Sequence, residues 1–193
     1  LMSEFQTINP ATQELLKTYT YANASEIDAA LSKVARAARL SLSIADRRQK
    51  LSETAKQLRA QTDKLAQQMA LEMGKPIKDG RGEVEKSAGA AEYYAERLEA
   101  FLKTQEVRVS DTGQYQIWTQ PSGPLFAIMP WNFPIWQIMR VVPAAMGLGN
   151  PVVLKHSDSV AGTAQMFADI LQSVWGPDLF QNLRINHEQS AMV

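Results

Sequence analysis

An amide side chain stands between two apolar runs in the second half of the chain. Asn132 lies in the segment PWNFP, with LFAIM before it and IWQIM close after it. If a strand ends before Asn132 and a helix begins after it, the amide can donate hydrogen bonds to an oxygen that becomes negatively charged during a reaction. The free amides of the helix start would add positive potential there. The alternative is that Asn132 only caps that helix, and the spacing leaves both interpretations open.

A second polar group follows the apolar segment PVVLK. Lys155 ends this segment, and Ser157 and Asp158 come directly after it. An ammonium group and a carboxylate can bind the hydroxyls of a nucleotide ribose, as acidic residues do in other dinucleotide-binding sheets. The alternative is a surface turn in which Asp158 caps the following helix. The pattern G-x-G-x-x-G does not occur, so the usual dinucleotide fingerprint is missing.

Two further residue types bear on chemistry. Arg140 lies in the otherwise apolar stretch PIWQIMRVVPAAM, a little over two helical turns after Asn132 and so on the same side as the helix start. A guanidinium there needs a carboxylate, from the chain or from a ligand. Neither His156 nor His187 has a second histidine or a spaced carboxylate beside it, so we expect surface or capping roles and no metal site.

The order of apolar segments predicts the element that positions these residues. Residues 125–129, 151–155 and 180–185 read as buried strands, and residues 134–146 and 160–175 between them read as helices. Strands that are buried on both faces and alternate with helices form a parallel sheet covered by helices. Ligands bind such sheets at the carboxyl ends of the strands. The segment after the first strand should therefore lie beside the segment after the second.

The preceding sequence predicts a layer of helices. A hairpin within residues 8–22 is followed by helices that begin near Ser25, with a capping box to Asp28, and near Asp46. Two more helices span residues 62–73 and 77–102, separated by a left-handed cap at Gly74.

Alternation with a period of two at Val107, Val109, Tyr115 and Ile117 predicts a second hairpin with a turn at residues 111–113. This hairpin either contacts another subunit or packs on its own domain.

Near residue 193, Asn186 is expected to cap a further helix.

Composition excludes several classes of function. The 193 residues are 45% hydrophobic, which supplies a core, and 20 basic residues balance 20 acidic ones, which argues against nucleic-acid binding. There is no cysteine, no apolar run of membrane-spanning length and no signal-peptide pattern, so we expect a cytoplasmic protein without membrane contact.

A three-stranded parallel sheet would leave an apolar edge uncovered, so we expect the N-terminal part of a larger enzyme.

Together these segments resemble the aldehyde dehydrogenase superfamily over nearly the whole chain. The matching stretches are INPATQELL, EMGKPIKDGRGEVEKSAGAAEYYAE and QPSGPLFAIMPWNFPIWQIMRVVPAAMGLGNPVVLKHS. Within the family, EMGKPI, MPWNFPIWQIMR and LKHS are most similar to the bacterial succinate-semialdehyde dehydrogenase group. The resemblance implies an α/β fold with an N-terminal helical layer and β-hairpin plus the first half of a Rossmann-like parallel sheet. The implied divisions are residues 1–106 for the helical part of the cofactor domain, 107–121 for the oligomerisation hairpin, and 122–193 for the sheet.

The resemblance also implies a role for each residue at the sheet edge. Asn132 would hold the oxygen of the thiohemiacetal intermediate, and Arg140 would bind the distal carboxylate of a semialdehyde. Phe133 and Trp136 would line the substrate tunnel. The cofactor, NAD or NADP, would be bound by Met129, Trp131, Asn132, Lys155, His156, Ser157 and Asp158. An acidic Asp158 would repel a 2′-phosphate, which favours NAD.

The resemblance further implies that important parts lie outside this chain. The family's nucleophilic cysteine, general-base glutamate and pyrophosphate-covering glycine turn come later in the family's sequence order, so the 193 residues alone are expected to be inactive. The alternative is a non-catalytic cofactor-binding or assembly piece. An unrelated helix-rich binding protein would require the PWNFP match to be chance. The implied partners are a small aldehyde and further copies of the chain, as a dimer or tetramer built partly through residues 107–119.

Overall fold

Alternating strands and helices follow the predicted order along most of the chain. The computed structural model describes residues 3–40, 42–110 and 113–193. The elements are β1 Glu4–Ile8, β2 Leu15–Thr20, α1 Ala24–Ala37, α2 Ile44–Ala60, α3 Thr62–Met73, α4 Ile77–Leu102, β3 Gln105–Ser110, β4 Gly113–Ile117, β5 Leu125–Met129, α5 Trp136–Met139, α6 Val142–Leu148, β6 Val152–His156, α7 Ala161–Trp175 and β7 Phe180–Asn182.

Three strands form the predicted parallel sheet. The order is β5, β6, β7, and both neighbouring pairs are parallel. Every residue of the central strand β6 is buried, as expected for a strand with neighbours on both edges and helices on both faces. The fold is therefore α/β, as the sequence predicts.

One apolar core joins the helical layer to the sheet. The side chains that fill it come from α2, α3 and α4 on one side and from the sheet and its helices on the other, including Leu58, Leu65, Met69, Leu98, Ile138, Leu154 and Phe167. Gly74 ends α3 with φ of 71°, a backbone conformation that a residue with a Cβ rarely adopts. The bounds predicted for α3 and α4 are confirmed.

The start of α1 differs from the prediction. The helix is capped by Asn23, not by Ser25. The Asn23 side chain accepts a hydrogen bond from the Glu26 amide at 3.0 Å, and the Glu26 carboxylate accepts from the Asn23 amide at 2.8 Å. The capping box exists, but it lies two residues earlier, because an asparagine with an acidic residue three positions later fits the motif as well as a serine does.

The predicted helix over residues 134–146 is wrong as a single element. It is broken into α5 and α6 around Arg140 and Val141. Pro143 lies in the first turn of α6 and has no amide hydrogen, so it cannot bond the carbonyl one turn earlier. The chain therefore ends one helix and starts another.

Two terminal predictions were too long. The strand expected over residues 180–185 ends at Asn182, although the Leu183 amide still donates to the Leu154 carbonyl of β6 at 2.8 Å. One residue further on, the Arg184 carbonyl accepts from the Ala22 amide at 2.7 Å. Asn186 does act as a cap, accepting from the Gln189 amide at 2.8 Å. Only a short 3₁₀ turn, Gln189–Met192, follows it.

Both predicted hairpins are present, but the first spans residues 4–20, so it begins four residues before the predicted range of 8–22. β1 pairs with β2 and β3 pairs with β4, each antiparallel. Residues 111 and 112 of the second predicted turn lie outside the described part of the chain. The second hairpin exposes Tyr115, Ile117 and Trp118, each more than half accessible to solvent. Within the described ranges, no helix is long and apolar enough to cross a membrane.

Candidate active site

The ends of β5 and β6 bring the two predicted polar segments together. Met129 at the end of β5 is in register with His156 at the end of β6. The pairing continues one step further, where the Ser157 amide donates to the Met129 carbonyl at 3.0 Å. Residues 129–132 and 155–158 therefore leave the sheet side by side at its carboxyl edge.

Asn132 is not the cap of the helix that follows it. Its side chain is exposed, and among the described residues the only hydrogen bond of Asn132 is accepted by its backbone carbonyl. The amides at the start of α5 are instead bound by a carboxylate from α4: Ile135 and Trp136 both donate to Oε1 of Glu83, at 2.8 and 2.9 Å. The capping alternative is excluded. The expectation of free helix amides beside Asn132 is also wrong, because Glu83 already occupies them.

A buried lysine completes this arrangement. Lys75 forms an ion pair with Glu83 and donates a second hydrogen bond to the backbone carbonyl of Asn132 at 2.9 Å. Its ammonium group also lies 4.2 Å from the centre of the Phe133 ring. Neither charged residue was singled out from the sequence. The available signal is that Glu83 falls on the apolar face of α4, three residues after the buried Gly80.

His156 holds the same segment from the other side. Its ring is buried, Nδ1 accepts from the Ser157 amide at 2.8 Å, and Nε2 donates to the Pro134 carbonyl at 3.0 Å. Burial lowers the pKa of His156 to about 4. The surface role expected for this residue is wrong, and both ring nitrogens are used within the chain, so the neutral ring cannot serve as a base.

This burial predicts a pH dependence of stability. The pKa of His156 lies at about 4 in the folded protein and near 6.5 when unfolded, so the unfolded state takes up the proton first as the pH falls. Stability present above pH 6.5 is therefore lost as the pH falls toward 4, and about 2 kcal/mol of it is lost by pH 5. Urea unfolding at pH 7 and pH 5 should show this extra loss in the wild type and not in His156→Gln. Equal losses in both proteins would contradict it.

Lys155 and Asp158 form a second polar cluster. Nζ of the buried Lys155 donates to the His156 carbonyl at 3.0 Å and lies 3.3 Å from Oδ1 of Asp158. The hydroxyl of Tyr21, just past β2, donates to Oδ2 of Asp158 at 2.5 Å. Burial and this carboxylate raise the pKa of Tyr21 to about 12, so the phenol stays protonated. Asp158 is only partly exposed, and its side chain does not cap a helix. The contact of Tyr21 with Asp158 was not predicted from the sequence.

Three residues predicted to contact substrate share one face of the turn that includes α5. The Trp136 carbonyl accepts from the Arg140 amide, and the Phe133 carbonyl accepts from the Gln137 amide, both at 3.0 Å, so the helical turn is continuous from Phe133 to Arg140. Positions 133, 136 and 140 follow helical spacing. Arg140 is exposed, and no carboxylate of the described ranges forms an ion pair with it.

The helix after β6 is also capped by a carboxylate from the helical layer. Glu72 accepts from the amides of Gly162 and Thr163, at 2.6 and 2.8 Å, and from the Thr163 hydroxyl at 2.8 Å. A Cβ on Gly162 would clash with Nε2 of Gln68 and would lie 2.7 Å from Oε1 of Glu72, so both side chains would have to move. Since the helices after both strands are capped in this way, an anionic ligand group has no free helix start to bind here.

These side chains determine which ligand groups the carboxyl edge of the sheet can bind. The free Asn132 amide can donate to an oxygen, Arg140 can bind a carboxylate, and Lys155 with Asp158 can bind hydroxyls. Within the described ranges, no group of three or more metal-ligating side chains is found.

Comparison with known proteins gives the same assignment along almost the full chain. Residues 2–190 match the model of the aldehyde dehydrogenase family. The NAD(P)+ succinate semialdehyde dehydrogenase Sad of Escherichia coli strain K12 is 41% identical over 172 residues, which is 88% of this chain and 37% of that protein. The NADP(+) succinate-semialdehyde dehydrogenase of Mycobacterium avium strain 104 is 37% identical over 185 residues, 93% of this chain and 39% of that protein.

Solved structures show the same coverage. The succinic semialdehyde dehydrogenase from Streptococcus pyogenes, in complex with NADP+, superposes with a TM-score of 0.93 at 32% identity, over 97% of this chain and 42% of that one. Aldehyde dehydrogenase 21 from Physcomitrella patens, in complex with the reaction product succinate, gives a TM-score of 0.90 at 25% identity, over 99% and 41%. The chain thus spans about two fifths of the length of these relatives.

Proposed function

Because the chain belongs to the aldehyde dehydrogenase family, we propose that it forms the N-terminal part of an NAD(P)-dependent enzyme that oxidises succinate semialdehyde to succinate. The observation that carries this proposal is the free amide of Asn132 at the sheet edge. The segment holding Asn132 is fixed by Lys75, Glu83 and His156, while its own side chain is left for a ligand. The relatives named as succinate semialdehyde dehydrogenases support the choice of substrate.

Asn132 would act on the aldehyde oxygen. When a nucleophile attacks the carbonyl carbon, negative charge develops on that oxygen, and a fixed amide donor stabilises the charge without having to reorganise. The chain contains no cysteine, and His156 is neutral with both nitrogens engaged. The nucleophile and the general base would therefore come from residues outside this chain.

The cluster after β6 fits the cofactor's ribose. Lys155 Nζ uses two of its three donor hydrogens within the chain, and the Asp158 carboxylate remains partly exposed. These two residues, with Ser157, would bind ribose hydroxyls, while Met129 and Trp131 would contact the cofactor from the end of β5. The bound cofactor would accept a hydride. Lys155 partly balances the charge of Asp158, so the repulsion expected against a 2′-phosphate is weakened and either NAD or NADP fits.

Arg140 would select the substrate. An exposed guanidinium without a carboxylate of the chain beside it can bind the distal carboxylate of succinate semialdehyde. Phe133 and Trp136 on the same face would contact its methylene groups. The ring of Trp136 is covered on one side by Lys86, whose ammonium lies 4.0 Å from the ring centre.

Assembly and location belong to the same proposal. The exposed aromatic side chains of the β3–β4 hairpin support a subunit contact in a homodimer or homotetramer. The lack of cysteine is compatible with the reducing cytoplasm expected from the sequence.

The test is aldehyde oxidation by the protein translated from the complete reading frame that encodes this chain. We expect it to oxidise succinate semialdehyde with NAD+ or NADP+ at a higher kcat/KM than butanal, which has the same chain length without the carboxylate. The 193 residues alone should show no turnover. Oxidation of neither aldehyde with either cofactor, or turnover by the 193 residues alone, would contradict the proposal.

A further inference from the structure

A buried ion pair holds the backbone on both sides of the Phe133–Pro134 turn. Lys75 follows the left-handed turn at Gly74, and Glu83 lies in the second turn of α4. The Lys75 side chain is 8% accessible to solvent and that of Glu83 is 2% accessible. Both residues belong to the helical layer, yet their charged atoms reach the loop after β5.

Each polar contact of this pair ends on the loop or on the pair itself. Nζ of Lys75 donates to Glu83 and to the Asn132 carbonyl, and it lies over the Phe133 ring. Oε1 of Glu83 accepts from the amides of Ile135 and Trp136. The pair thus fixes the carbonyl on one side of the Phe133–Pro134 turn and the two amides on the other.

Burying such a pair gives little net stability. Removing two charges from water costs several kcal/mol, and well-packed apolar side chains often serve at least as well in a core. A helix start can also be capped by an exposed side chain at lower cost. Unlike an apolar core or an exposed cap, this ion pair also fixes the orientation of the Asn132 backbone. The rotamers available to a side chain depend on its backbone, so the pair also restricts the direction of the Asn132 side chain.

We infer that Lys75 and Glu83 are positioning residues, which aim the Asn132 amide at the reacting oxygen. The inference rests on the proposed function, since Asn132 must act on that oxygen for its aim to affect the rate. Small misplacements of a catalytic group lower the rate of the chemical step strongly. Loss of the pair should therefore lower kcat through Asn132 and leave cofactor affinity unchanged.

The test is a mutant cycle in the protein from the complete reading frame. The double variant Lys75→Met/Glu83→Gln removes both charges together, so that neither is left buried and unpaired, and the side-chain oxygen of the introduced glutamine can still accept from Ile135 and Trp136. In the wild-type background we expect kcat for succinate semialdehyde to fall by about ten- to a hundredfold, with the dissociation constant of NADPH unchanged. In the Asn132→Ala background the same double change should lower kcat by less than about threefold, because the residue it acts through is gone.

Lys78→Met is the matched control, since Lys78 is an exposed lysine three residues further along the chain; its kcat should equal that of the wild type. If the double variant fails to fold, Lys75→Arg enters the same cycle, since it keeps the positive charge beside Glu83 and changes the donor geometry at the Asn132 carbonyl. Equal loss of kcat in both backgrounds would overturn the inference, because it would mean that the pair acts independently of Asn132. An unchanged kcat in the wild-type background would overturn it as well. If the wild type oxidises no aldehyde, it is the proposed function that fails.

Discussion

Replacing Asn132 with alanine should lower kcat for aldehyde oxidation by about 10²- to 10³-fold in the protein from the complete reading frame, the effect measured when an oxyanion donor is removed elsewhere. The reason lies in the geometry at the carboxyl edge of β5. The Asn132 side-chain amide is exposed, and the only hydrogen bond of Asn132 among the described residues is that of its backbone carbonyl, which alanine keeps. The change therefore removes a donor to the ligand and leaves the fold intact. The measurement is steady-state kinetics with succinate semialdehyde.

Asn23→Ala is the matched control for this experiment. Asn23 caps α1 through the Glu26 amide, so its loss should lower the free energy of unfolding by about 1 kcal/mol while kcat stays at the wild-type value. Asn132→Ala should show the reverse pattern, with kcat reduced and stability retained. A lower stability in Asn132→Ala with a kcat within about fivefold of the wild type would show that the amide is structural.

The second large effect concerns substrate choice. Arg140→Ala should raise KM for succinate semialdehyde by about 10- to 100-fold, the loss expected when a hydrogen-bonded ion pair to a ligand carboxylate is removed. KM for butanal should not change, because butanal offers no carboxylate. Within the described ranges, the only hydrogen bond of the Arg140 side chain is the one to Gln137 Oε1, at 3.4 Å, so little internal bonding is lost with it. The comparison of the two aldehydes separates loss of the carboxylate contact from general damage.

Two further variants sharpen that comparison. Arg97→Ala removes another exposed arginine, which pairs with Glu96 on α4, and should leave both KM values unchanged. Arg140→Lys keeps the charge and loses the planar pair of donors, so its KM should fall between those of the wild type and Arg140→Ala. Equal increases in KM for both aldehydes in Arg140→Ala would place the carboxylate contact elsewhere.

Local patterns in the sequence predicted the elements whose causes are local. The helix bounds of α3 and α4 follow from apolar spacing and from Gly74 and Pro76, which end one helix and start the next within a few residues. The parallel sheet follows from short apolar runs separated by helical lengths. The break between α5 and α6 could have been anticipated from Pro143, whose effect on the preceding turn is also local.

The contacts that define the site are not local. Glu83 is 52 residues from Ile135, and Tyr21 is 137 residues from Asp158. A helical pattern shows that Glu83 lies on a mostly apolar face, but the Ile135 and Trp136 amides that it caps come from another layer of the fold. For the same reason the sequence left open whether Asn132 caps α5, since the carboxylate that does cap it could not be identified from neighbouring residues.

The central claim is that Asn132 and Arg140 contact opposite ends of one substrate, and the most direct measurement is a crystal structure of the protein from the complete reading frame with succinate bound. We predict that the Asn132 amide donates to the carboxylate formed from the aldehyde, within about 3 Å, and that the Arg140 guanidinium binds the other carboxylate. Succinate bound away from this edge, with the Asn132 amide facing only water, would contradict the account.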